Sequence, residues 1–121
     1  MGKGTMQVRR FCLGQVVITR GALSQCETDG INNLELIARH ERGDFGSVGH
    51  LDAYYNSIES GRSKALAADD GLVQNALAIE AQRGMVLSTY ELEDNHGVTI
   101  WIITMLAGSD TYTTILLPEE Y

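Results

Sequence analysis

Apolar and polar positions change rhythm along this chain, and the change divides it in two. Between Met85 and Tyr121 the rhythm is that of strands, in three runs at 85–92, 98–106 and 111–117. These runs are rich in β-branched and aromatic residues. Glu93-Asp94-Asn95-His96-Gly97 separates the first two as a hairpin loop, with Gly97 expected in the left-handed conformation. Ala107–Asp110 turns the chain again. The middle run, VTIWIITML, is apolar on both faces, which predicts a central strand. Pro118 cannot donate to a ladder and is expected to close the last strand.

The earlier part is mostly helical in rhythm. Gln15–Thr19 is the exception, a short β-branched run that predicts a strand inside the sheet or beneath helices. Thr19 can cap a helix that stops at Asp29-Gly30. Asn32 and Glu35 have capping-box spacing for a second helix, with Leu34, Ile37 and Ala38 on one face and Arg39, Glu41 and Arg42 around the other. Gly43-Asp44-Phe45-Gly46 reads as a structured turn. Leu51, Tyr54, Tyr55 and Ile58 recur at helical spacing over 49–59, and Ser60-Gly61-Arg62-Ser63 breaks the pattern. Asp69-Asp70 caps a further helix carrying Leu72, Val73, Ala76, Leu77 and Ile79, with Gly84 as its end. The pattern predicts an α+β fold: an antiparallel sheet of about four strands, one N-terminal strand plus a C-terminal three-stranded meander, with three to four helices packed on it.

Composition narrows the picture. A chain of 121 residues with 44% hydrophobic content is one domain, able to bury a core without a metal or disulfide. Cys12 and Cys26 form no CxxC pair and are expected as free, mostly buried thiols in a reducing cytoplasm. The net charge of -7 disfavours nucleic-acid binding through bulk charge. No apolar run approaches the roughly 18 residues that span a bilayer, and no signal-peptide core is visible, so a cytoplasmic protein with no membrane partner is expected. Residues 1–5 read as a remnant of expression, with Met6 as the natural start.

Chemistry is sparse. His40, His50 and His96 stand singly, so no metal site is expected, and no motif calls for a cofactor. The densest polar run is Arg39-His40-Glu41-Arg42-Gly43-Asp44. At a helix end its cations suit the negative end of the helix dipole. Read as a site, His40 is a general base and Arg42 an oxyanion or phosphate clamp. Thr111, Thr113 and Thr114 add hydroxyls on the last strand, where threonine is also simply a good strand former. Tyr90, Trp101 and Tyr112 form either an aromatic binding cluster or core packing. Glu119, Glu120 and Tyr121 form either a solvated acidic end, a fold-back onto the sheet, or a docking tag.

These residues also carry a resemblance. Leu13-Gly14-Gln15-Val16-Val17, Thr19, Gly21-Ala22-Leu23, Ala38-Arg39-His40, Arg42–Gly46, Leu87-Ser88, Tyr90, Trp101–Thr104 and above all Thr113–Tyr121 resemble a family of short bacterial proteins borne on plasmids, integrated elements and phages. Against that family, residues 47–69 read as an insertion, and the Ala107–Asp110 turn is longer and lacks an arginine. The resemblance implies a mobile-element setting and no particular activity. The expected function is therefore a non-enzymatic binding or regulatory protein with an unknown protein partner. One version is an acidic inhibitor that imitates DNA. One alternative is a small barnase-like or toxin-like ribonuclease using His40, Arg42 or Arg83, and Thr113 or Thr114 in a cleft. Another is a homodimeric module that self-associates through an exposed sheet face or edge.

Overall fold

In the computed structural model, residues 9–59, 70–92 and 97–121 are described. The expectations for residues 1–5, the break at 60–63, the cap at Asp69 and the loop at 93–96 lie outside them. In chain order the elements are β1 (Gln15–Ile18), α1 (Arg20–Asp29), α2 (Asn33–Glu41), α3 (Leu51–Glu59), α4 (Gly71–Ala81), β2 (Arg83–Leu92), β3 (Val98–Ala107) and β4 (Tyr112–Leu116). Single turns of 3₁₀ helix follow β3 and β4, at Gly108–Asp110 and Pro118–Glu120.

Helix boundaries follow local chemistry. Thr19 accepts from the Ala22 amide at the start of α1, and Gly30 ends that helix at φ 66°. Asn32 and Asp70 cap α2 and α4 in the same way. One boundary and one helix face need correction. It is Gln82, not Gly84, that takes the left-handed position after α4, and Gly84 already lies in β2. In α2 the buried residues are Leu36 and His40, while Leu34 is 72% exposed. A polar residue draws that helix face inward, so counting apolar side chains misplaces it.

The sheet order is β1-β4-β3-β2. The C-terminal meander is antiparallel as expected, but β1 pairs parallel to β4, so the sheet is mixed rather than antiparallel. Four helices separate β1 from β2, and a helical crossover of that kind is what returns a chain to run in the same direction. β1 consequently lies at an edge, with Val16 and Val17 exposed, and not inside the sheet.

Both apolar clusters lie on one face of the sheet. Val86 and Leu106 pack with residues of α3 and α4, together with Phe45. Tyr90, Ile100, Ile102 and Ile115 pack with Ala22, Cys26 and Leu36 of α1 and α2. Side chains alternate along a strand. Leu87, Trp101, Ile103, Met105 and Tyr112 therefore belong to the opposite face, and none of them joins either cluster.

The outer edge of β2 is closed by two devices. The Asn75 side chain in α4 donates to the Leu87 carbonyl at 2.8 Å and accepts from the Leu87 amide at 3.0 Å. One step along, the Thr89 amide donates to the Phe45 carbonyl and the Ser47 amide donates to the Thr89 carbonyl. Gly46, at φ 67°, lies so close that any Cβ would overlap the Thr89 carbonyl oxygen. The turn after α2 thus acts as a short fifth rung, which protects an edge that would otherwise present free backbone groups. Asn75→Ala should destabilise the fold by about 2–3 kcal/mol, because it strands a backbone donor and acceptor at once. Urea unfolding measures this, with Leu77→Ala on the exposed side of α4 as the near-neutral control.

Candidate functional site

Two arrangements stand out: a buried polar chain on the helix side of the sheet and an apolar surface on the other side. The polar chain is centred on His40, which has no exposed surface. Its Nδ1 lies 2.6 Å from Ser88 Oγ on β2, and its Nε2 lies 2.9 Å from Thr104 Oγ1 on β3. Thr104 Oγ1 is 2.7 Å from Thr113 Oγ1 on β4, which donates to the Leu13 carbonyl at 2.7 Å.

The end of the chain fixes its direction. A carbonyl only accepts, so the Thr113 hydroxyl donates to Leu13 and must accept from Thr104. Thr104 has then spent its one proton and accepts from His40 Nε2–H. That leaves Nδ1 as the acceptor for the Ser88 hydroxyl. Every link is satisfied with His40 neutral, and burial pushes its pKa down to about 3.

The structure thus brings His40 to Thr113, with Thr104 between them. The meeting point is no cleft, because Ser88, Thr104 and Thr113 are as buried as His40. A general base must reach its substrate and take up a proton near the working pH. His40 does neither here. Thr114 points to the opposite face, and Arg42 caps the end of α2. Arg83 is exposed at the start of β2, and neither arginine is among the partners of His40. Thr111 accepts from the Ala107 amide within the turn. Sequence reading missed Ser88 and Thr104. Their signal was a hydroxyl at an inward position of an otherwise apolar alternation, Val86-x-Ser88-x-Tyr90 and Ile102-x-Thr104-x-Leu106.

The arginine engaged in this region is Arg39. It holds Asp44 through two contacts, at 2.7 and 3.3 Å, and lies over the Tyr90 ring at 4.6 Å. The Tyr90 hydroxyl donates to the Asp44 carbonyl at 2.7 Å. Burial raises the Tyr90 phenol above its ordinary pKa. Hydrogen bonds from Arg39 and the Gly46 amide hold the Asp44 carboxyl below the usual range, against the opposing effect of burial. Asp44 is thereby committed to the turn.

Tyr90 is internal, whereas Trp101 and Tyr112 lie on the other face, so the three do not form one aromatic cluster. Trp101 instead meets Tyr121, with ring centroids 5.6 Å apart. The terminal segment folds back. Glu120 accepts from the Thr19 hydroxyl at 2.5 Å and from the Leu117 amide at 2.8 Å. Its pKa is lowered by those bonds and by one from the Gly21 amide, at the N-terminus of α1. Glu119 remains exposed.

That leaves the open sheet face. Register sets its residues in rows across the strands: Met85–Met105–Tyr112–Gln15, then Leu87–Ile103–Thr114–Val17, then Thr89–Trp101–Leu116. Met85 is 40% exposed, Val17 43% and Tyr112 48%. No described helix is long and apolar enough to cross a membrane. Among the described residues, no three His, Cys, Asp or Glu gather as a metal-binding group. Cys26 is buried and Cys12 is exposed. No family model, curated protein or solved structure matches the chain.

The depressed histidine has a defined consequence for stability. The unfolded chain binds a proton at about pH 6.5, while the folded chain resists protonation down to about pH 3. Stability should therefore fall as pH drops through that window, by on the order of 5 kcal/mol from this group. His40→Phe should lower stability at neutral pH by leaving Ser88 and Thr104 unpaired. It should also flatten the slope between pH 6.5 and 4.5, as read by urea midpoints across pH.

Proposed function

We propose that this chain is a non-enzymatic binding protein whose contact surface is the open face of its sheet. The observation that carries this reading is the apolar sheet face of Met85, Leu87, Trp101, Ile103, Met105, Tyr112 and Val17, which joins neither helix-covered cluster; Met85, Tyr112 and Val17 are exposed on it, Ile103 is buried among its neighbours, and Tyr121 packs on Trp101 at one end. Contiguous exposed apolar surfaces beyond a few hundred Å² are rare on monomers and mark interaction sites. The buried, neutral state of His40 favours this reading over the ribonuclease alternative, which needs that imidazole at a cleft. The engagement of Glu120 with Thr19 weighs against a free docking tag at residues 119–121. The bacterial mobile-element setting, and the idea of a regulator within it, rest on the family resemblance alone.

The test is retention of protein partners, including free copies of the chain itself, on immobilised protein. The wild type and Leu34→Glu, altered on a remote helix surface, should retain the same partners. The double variant Met85→Glu/Tyr112→Glu should lose them while keeping its thermal midpoint within a few degrees. Equal retention by all three proteins, or none by the wild type, would overturn the assignment.

A further inference from the structure

We infer that the occupant of this face is a second copy of the chain, docked about a two-fold axis that runs across the strands through Leu87, Ile103, Thr114 and Val17. This names the partner for the binding surface proposed above and rests on that reading.

The face is self-complementary. Arg83 and Glu91 are the only charged residues among its strand positions, and both are exposed. They sit at opposite ends of β2, each four residues from Leu87. Neither is in an ion pair with another described residue. A two-fold axis across the strands lays each strand antiparallel over its own copy. Arg83 of one protomer then meets Glu91 of its partner, twice by symmetry. An axis along the strands instead lays β2 over the partner's β1, at the far edge of the sheet, and brings neither Arg83 nor Glu91 to the other.

The apolar rows agree with the same axis. The row Leu87–Ile103–Thr114–Val17 lies on the axis and meets itself. The rows on either side exchange, so that Met105 faces the partner's Trp101 and Tyr112 faces the partner's Leu116. A thioether over an indole is a favourable pairing. Tyr121, packed against Trp101 and 74% exposed, extends the surface at that end. Two sheets stacked this way are close to the aligned packing that strand twist favours.

Area sets the strength. From strand spacing and rise, the face covers on the order of 450 Å² per protomer. That is below the roughly 800 Å² per partner of a standard stable interface. The dimer is therefore a reversible one, and the two Arg83–Glu91 pairs act mainly to fix its orientation.

Sedimentation equilibrium from low micromolar to near-millimolar protein tests this, with the emission of Trp101, the only tryptophan, followed over the same range. The expected result is a monomer–dimer equilibrium with a blue shift of Trp101 as the dimer forms. Arg83→Glu alone and Glu91→Arg alone should each weaken association by about tenfold, since each reverses two symmetric rim contacts. The double exchange Arg83→Glu/Glu91→Arg should restore it, an outcome that general charge repulsion would not give. A dimer indifferent to both reversals overturns the arrangement, as does a wild type that stays monomeric throughout. If that monomer still retains a different protein through Met85 and Tyr112, the second copy is ruled out and the binding surface stands. If it retains nothing, both fall.

Discussion

The hydrogen-bonded chain from Ser88 through His40, Thr104 and Thr113 to the Leu13 carbonyl is the constraint on which the rest of the structure depends. It joins β2, α2, β3, β4 and the segment entering β1. It also lies between the two apolar clusters, with Phe11 and Phe45 against the His40 ring. Apolar packing is tolerant of direction and rotation. A chain of donors and acceptors is not, because each unpaired member buried in a low dielectric costs the full loss of its hydration. The neutral state of His40 belongs to the same logic. A buried charge would need a counter-charge, and the groups that face its two nitrogens are hydroxyls.

Once α2 is held by His40, its exit is held as well. Arg39, one residue earlier, points to the other side of the turn and grips Asp44, and Tyr90 takes the Asp44 carbonyl. The turn is thereby pressed against Thr89, and Asn75 covers the neighbouring rung. One sheet edge is closed by these means. The other, β1, is a strand of four residues whose brevity limits what can add to it. With both edges limited, the apolar face opposite the two clusters is the side of the sheet that the described helices leave uncovered.

Much of this architecture was legible in the sequence. Four helices, four strands and most caps follow from period and from residues such as Thr19, Asn32, Asp70 and Gly30. The partner of β1 was not, because pairing across a four-helix crossover leaves no local trace. The same run of valines that suggests a buried strand serves here as a half-exposed edge. His40 was visible as a candidate, but its burial among hydroxyls was not. Single-sequence reading sees an imidazole near arginines, and cannot see that Ser88 and Thr104 close over it. The clue to those two lay in the parity of the strands, where a hydroxyl every second residue interrupts an apolar face.

That parity carries a further implication. On β3 the outward residues Trp101, Ile103 and Met105 are no less apolar than the inward Ile100, Ile102, Thr104 and Leu106. A one-residue slip of register would exchange the two faces and bury as much hydrocarbon. Hydrophobicity alone therefore does not choose between them. The choice is made by groups that cannot tolerate the exchange: Ser88, Thr104 and Thr113 must meet His40, and the backbone of Leu87 and Thr89 must meet Asn75 and the 44–47 turn. The polar residues thus decide which face is core, and an apolar face is left outside as a consequence. A sequence under selection for the monomer alone could have replaced Trp101, Ile103 and Met105 with polar strand formers without disturbing any of these contacts. The half-exposed hydrocarbon of Trp101 and Met105, beside the exposed Met85, Val17 and Tyr112, is the physical reason to regard that face as a surface with a use.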